Sequence, residues 1–203
     1  MDEKSHMKLW IIILAAVFIV VAAAGVYTAM NKMDAKENKT NDTDLGTIMI
    51  NWYFPEFPQL VDNSDLIVVA TVTGEKGVWD TPDGQKPANM TEYKDNYGQI
   101  STEYTFQTDD ILKGTVNDTF TGRVKGGTLD GYTFTAQKVP TFENNDTVLL
   151  FIQYPKDENG TVIQQNYVQI GFPNAFIETA NGNFTSEYYG DVTLTQVKEE
   201  IAS

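Results

Sequence analysis

The sequence predicts a mainly β protein: a closed or partly open antiparallel barrel with a short C-terminal helix, preceded by one N-terminal transmembrane helix. Three observations lead there. From Leu9 to Met30 the chain reads LWIIILAAVFIVVAAAGVYTAM, 22 residues without a charge. Beyond it lie short runs of β-branched and aromatic residues, punctuated by Gly, Pro, Asn and Asp, with no helical period between them. All seven Asn-x-Thr triplets of the chain fall C-terminal to the apolar run.

As a helix, the apolar run spans roughly 33 Å, enough to cross a hydrocarbon core. Trp10 and Tyr27 sit near its ends, where amphipathic rings favour the interface. A signal anchor is the simplest account; a cleaved signal peptide is the alternative, because Lys8 precedes the run and Ala22-Ala23-Ala24 resembles a cleavage site. Lys4 and Lys8 on one flank face Lys32, Lys36 and Lys39 on the other, so charge leaves the orientation open. The triplets decide it, since N-linked glycosylation occurs on the far side of a membrane. Residues 1–8 are then a short cytoplasmic tail and the C-terminal part is extracytoplasmic. Residues 31–47 are polar without apolar period and read as a flexible tether, and residues 48–203 as the β domain.

Within that domain, Leu66 to Thr73 and Thr147 to Tyr154 are continuous apolar runs, the pattern of strands covered on both faces. Thr102 to Thr108 places Tyr104 and Phe106 on one face, and Thr119 to Lys125 does so with Phe120 and Val124. Tyr132, Phe134 and Ala136 alternate; Val162 to Ile170 and Ala175 to Thr179 supply two further strands. Gly126-Gly127 reads as a hairpin between strands rather than a phosphate cradle, because no helix follows. Gly74 to Gln99 reads as a large polar loop. Trp52, Tyr53, Phe54 and Phe57, with Pro55 and Pro58, form a segment that packs extended across the barrel or presents an aromatic face to a glycan or neighbour. Thr193-Leu194-Thr195-Gln196 has the form of a capping box, and Leu194, Val197 and Ile201 then share one helical face, a terminal helix expected to cover an opening of the barrel.

The order Ser64 to Val72, Tyr104-Thr105-Phe106, Ile111-Leu112-Lys113-Gly114, Gly126-Gly127 with Asp130-Gly131, Val139 to Phe142 and Val148 to Phe151 resembles a group of uncharacterised bacterial and archaeal envelope proteins. That group is similar to the netrin-like domain shared with tissue inhibitors of metalloproteinases, an OB-type barrel. The resemblance covers roughly residues 60 to 155 and implies the fold alone. Inhibition by those proteins works through an N-terminal cysteine, and this chain has no Cys.

Composition narrows the chemistry. Twenty-eight acidic side chains oppose 14 basic ones, for a net charge of -14, and Arg123 is the sole arginine, so no basic patch exists for nucleic acid. The lack of Cys excludes a lipid-modified cysteine and leaves stability to the core. Together with the acidity and the triplets it points to an archaeal cell surface. The single histidine, His6, precedes the apolar run, so the domain has no Ser-His-Asp, Cys-His or His-zinc site. Asp62, Asp65, Asp109 and Asp110 remain as carboxylates for calcium or for glycoside hydrolysis, although Asp at strand ends is more often a turn former. No catalytic, cofactor or metal residue is therefore assigned.

The assigned sites are the glycosylation acceptors Asn38, Asn41, Asn89, Asn117, Asn145, Asn159 and Asn183, where random placement would give roughly two. The expectation is a non-enzymatic single-pass surface glycoprotein, a binding or structural module of the envelope. Its partners would be the membrane, envelope proteins or glycans, with self-association if the chain is instead a pilin-like filament subunit. A calcium-dependent or carboxylate enzyme is the third alternative.

Overall fold

The computed structural model describes residues 42–81, 84–88, 100–163 and 166–203. The apolar run 9–30, the tail before it, most of the tether and the acceptors Asn38, Asn41 and Asn89 lie outside the described residues. Among the described residues no helix is long and apolar enough to cross a membrane.

In chain order the elements are β1 (Thr43–Met49), α1 (Phe57–Asn63), β2 (Leu66–Trp79), β3 (Ile100–Lys113), β4 (Thr119–Lys125), β5 (Gly127–Leu129) and β6 (Tyr132–Gln137). Then come β7 (Thr147–Ile152), β8 (Val168–Gln169), a 3-10 turn at Phe172–Asn174, β9 (Ala175–Glu178), β10 (Phe184–Ser186), β11 (Gly190–Val192) and α2 (Leu194–Ile201). Eight strands form one sheet in the order β11-β10-β9-β7-β2-β3-β4-β8, and β1-β6-β5 form a small second one. The large sheet curls into a half-barrel. It does not close on itself: β11 and β8 are its ends. Nor is it wholly antiparallel, since β8 runs parallel to β4, and β1 runs parallel to β6 in the small sheet.

The pair β2–β7 lies in the middle of the large sheet, with Leu66 opposite Ile152 and Thr71 opposite Thr147. Side chains alternate across a strand, so each run feeds two cores. Leu66, Val68, Ala70, Val72, Val148, Leu150 and Ile152 join Tyr104, Phe106 and Phe142 on one face. Ile67, Val69, Leu149 and Phe151 join Phe176, Phe184 and the two helices on the other. This double coverage is why both runs are apolar throughout. Each fully buried Leu, Ile or Phe contributes about 1.5–3 kcal/mol, and this core stands where disulfides would otherwise be needed.

Helix α1 was not visible as a helix in the sequence, because its Pro-rich start reads as extended. Pro58 sits in the first turn, where its missing N–H costs nothing, and the Glu56 N–H donates to Gln59 Oε1 at 3.2 Å. Lys113 Nζ caps the far end through the carbonyls of Val61 and Asp62, at 2.9 and 3.0 Å. In α2, Thr193 Oγ1 accepts from the Gln196 N–H at 3.2 Å and Gln196 Oε1 from the Thr193 N–H at 2.8 Å, the expected capping box. Val197 is buried, with Leu194 and Ile201 beside it. The helix covers the second sheet face next to α1 rather than an opening, because that face would otherwise expose Ile67, Leu149 and Phe151.

Four further differences from the sequence reading have local causes. Residues 43–47, read as tether, belong to β1, whose Leu45 is buried with Trp79, Ile100 and Phe134. Gly74 to Trp79 continue β2 as a ribbon with β3, Lys76 opposite Glu103, so the loop starts later than Gly74. Gly126-Gly127 is the point where the chain leaves the large sheet for the small one. The hairpin turns instead at Asp130-Gly131, with φ of +52° and +76°, the pair a two-residue turn demands. Of Val162 to Ile170 only Val168–Gln169 joins the sheet, apart from an isolated bridge between Val162 and Lys156.

Candidate functional site

At the end of the curl where β2 begins and β7 ends, the half-barrel stands open. The chain leaves β7 through Tyr154 and Pro155 and turns in a short arm. Asp157 Oδ1 holds that turn by accepting from the N–H groups of Asn159 and Thr161 at 2.9 and 2.8 Å, and the Ile163 N–H returns to the Pro155 carbonyl at 2.8 Å. Asp65 anchors the arm to the sheet: it accepts from the Tyr154 N–H at 2.9 Å and from Lys156 Nζ at 2.8 Å. Burial raises the Asp65 carboxyl, but the hydrogen bonds from Lys156 and Tyr154 and the charges of Lys156 and Lys113 outweigh it and hold the group below the usual range.

Between this arm, the β3–β4 turn and β8 lies a groove of about 690 Å³. Phe120, stacked on Phe106 with centroids 5.1 Å apart, and Ile152 lie among its apolar lining. Tyr154 is half-buried there, its phenol pushed up by burial and by Asp65. No described residue lining the groove is charged, in a chain with 28 acidic and 14 basic side chains. Thr119, Thr121, Gln153 and Asn166 line it without a side-chain hydrogen bond to any described residue. Val162 and Ile163 are 41% and 47% exposed at its rim. A smaller cavity of about 450 Å³ lies between Val72–Glu75 and Phe142–Asn144.

Tyr167, another groove residue, lies over the guanidinium of Arg123 with 3.7 Å to its ring centroid. Arg123 joins Glu103 and, at 3.4 Å, Asp80; Asp80 also takes Lys125 at 2.6 Å and Ser101 at 2.7 Å, and Lys76 reaches Glu103 at 3.1 Å. Burial raises the Glu103 carboxyl, and the bonds and charges of Arg123 and Lys76 more than reverse this. Each charged side chain in this cluster has a partner of opposite sign, so it joins the strands and backs Tyr167 rather than presenting an unpaired group.

Of the glycosylation acceptors, Asn117, Asn145 and Asn159 are exposed in turns and Asn183 is half-buried between β9 and β10. The candidate carboxylates are not gathered into a dyad. Asp109 accepts from Thr71 Oγ1 at 2.7 Å, Asp110 pairs with Lys198 at 3.6 Å, Asp65 holds the arm and Asp62 is exposed. Among the described residues no three acidic or histidine side chains form a metal-ligand group. The aromatic segment divides: Trp52 packs on Gly171 and donates to the Lys138 carbonyl, Phe54 stacks on Tyr188 at 4.2 Å, and Tyr53 is 76% exposed.

The groove was missed in the sequence because its walls come from the β3–β4 turn, the end of β7 and a segment read as one strand. One signal was present: from Asn159 to Ile177 the chain carries no charge at all. Compared with known proteins, the chain matches no family model and no curated sequence.

Proposed function

We propose that the protein is a single-pass surface glycoprotein, anchored by residues 9–30 with its N-terminus inside. Its netrin-like domain then acts outside the membrane as a non-enzymatic binding or structural module of the envelope. The observation that carries the reading is where the acceptors lie. Each of the four described ones sits in a connection between strands, where an Asn can be modified without breaking a ladder hydrogen bond. The site chemistry is in keeping with it: the described lining of the groove is uncharged, and three of the four candidate carboxylates are bound to other side chains.

Intact-mass and glycopeptide analysis of the native protein tests the reading. The expected result is retention of residues 9–30 and saccharide on several of the acceptors. If Asn89, Asn117, Asn145, Asn159 and Asn183 are all bare, the extracytoplasmic assignment loses its main support.

A further inference from the structure

The groove and one acceptor meet at the same place. Asn117 is among the groove's lining residues, is exposed, and its side-chain amide has no partner among the described residues. Its backbone is fixed: Thr108 Oγ1 donates to the Asn117 carbonyl at 2.7 Å and the Thr108 N–H to the Asp118 carbonyl at 2.8 Å. A saccharide attached there starts at the groove mouth from a fixed point of the backbone.

We infer that the groove is a saccharide-binding site whose occupant is the glycan carried by Asn117 of the same chain, its first sugars uncharged. This rests on the surface-glycoprotein reading above and deepens it. Attachment forms a bond from Asn117 Nδ2 to C1 of the first sugar and breaks the bond from that C1 to the phosphate of a lipid-linked saccharide donor. The amide proton is lost as the lipid phosphate departs.

Three physical arguments select this occupant. First, the lining chemistry fits a neutral pyranose: Phe120 and Tyr154 offer apolar and aromatic surface for C–H faces, and Thr121, Gln153 and Asn166 offer unpaired hydroxyls and amides for its OH groups. A charged sugar would meet no counter-charge. Second, the volume of about 690 Å³ falls within the ligand-site range of about 300–1,000 Å³. Third, attachment raises the effective concentration to roughly millimolar, so contacts too weak to hold a free saccharide suffice for a tethered one. The fold gains cover for Val162 and Ile163 and for the two-residue edge strand β8, which lies open at the sheet end.

The test uses full-length chain from a glycosylating host: wild type, Asn117→Gln, Thr119→Ala, Thr119→Ser and Asn159→Gln. Thr119→Ala removes the acceptor signal without touching Asn117, whereas Thr119→Ser keeps it. Glycopeptide mass, thermal melting and hydrogen exchange over residues 152–163 are read for each. The expected result is an occupied Asn117, a melting temperature lower by about 2–4 °C in both Asn117→Gln and Thr119→Ala, and faster exchange in the arm. Thr119→Ser and Asn159→Gln should match wild type.

Equal arm exchange in Thr119→Ala and Thr119→Ser overturns the inference, even if Asn117→Gln does not fold. A bare Asn117 beside an occupied Asn145 or Asn159 overturns it too, and leaves the surface reading standing. If every acceptor is bare, both fall.

Discussion

At the scale of single residues, Arg123 is the position on which most depends. It is the chain's only arginine, and its side chain, 16% exposed, lies between Glu103 at 11% and Asp80 at 9%. Removing it breaks the charge-assisted bonds to both carboxylates and leaves Glu103 with Lys76 alone and Asp80 with Lys125 alone, so Arg123→Ala should destabilise the domain by about 2 kcal/mol in urea unfolding. Glu103 sets the pH dependence. Its folded-state carboxyl titrates below the ordinary value of 4.5, so its contribution is present above that value and is lost as pH falls through the folded one. Between about pH 5 and 3, wild type should therefore lose more stability than Glu103→Gln. Identical acid limbs for the two proteins would dismiss the role given to Glu103. The sequence displayed Arg123 as unique yet gave no sign of its partners. Glu103 and Arg123 lie on β3 and β4 and Asp80 follows the last residue of β2, so the three meet only through the β2–β3–β4 register.

At the scale of elements, what could be read in advance was what local chemistry determines. The two doubly covered strands, the Thr119–Lys125 strand and the C-terminal helix carry their periodicity or capping residues in sequence. The Thr193 cap is testable by itself: Thr193→Ala should cost about 1 kcal/mol with α2 otherwise intact, measured by chemical denaturation, and no loss would mean that tertiary packing alone holds the helix. Elements set by tertiary pairing escaped. β1 holds through one buried Leu45 and a parallel pairing to β6, and β10 and β11 are three residues each. The extension of β2 past Gly74 contains Glu75, Lys76 and Gly77, a loop-like composition that becomes strand because it pairs with β3 as far as the buried Trp79. Gly77 fits there because a side chain would meet the Thr128 carbonyl, 2.8 Å from a Cβ at that position.

At the scale of the molecule, the three apolar clusters are joined by shared strands. β2 contributes Leu66 and Val68 to the first, Ile67 and Val69 to the second and Trp79 to the third; β3 adds Tyr104 and Phe106 to the first and Ile100 to the third. A small sheet resting on the ends of strands that also run through the main cores cannot melt without loosening the ribbon beneath it. Residues Asp42–Ser203, a compact unit, should therefore fold without residues 1–41 and unfold in one transition. The fragment holds two tryptophans, Trp52 and Trp79, and Trp79 is buried in the cluster shared with the small sheet. Its fluorescence should change at the same denaturant concentration as the far-UV circular dichroism of the large sheet. Starting the fragment at Asn51 removes β1 and Leu45 and should shift both probes together to a lower midpoint. A fluorescence transition that precedes the dichroism would show instead that the small sheet unfolds as a separate unit.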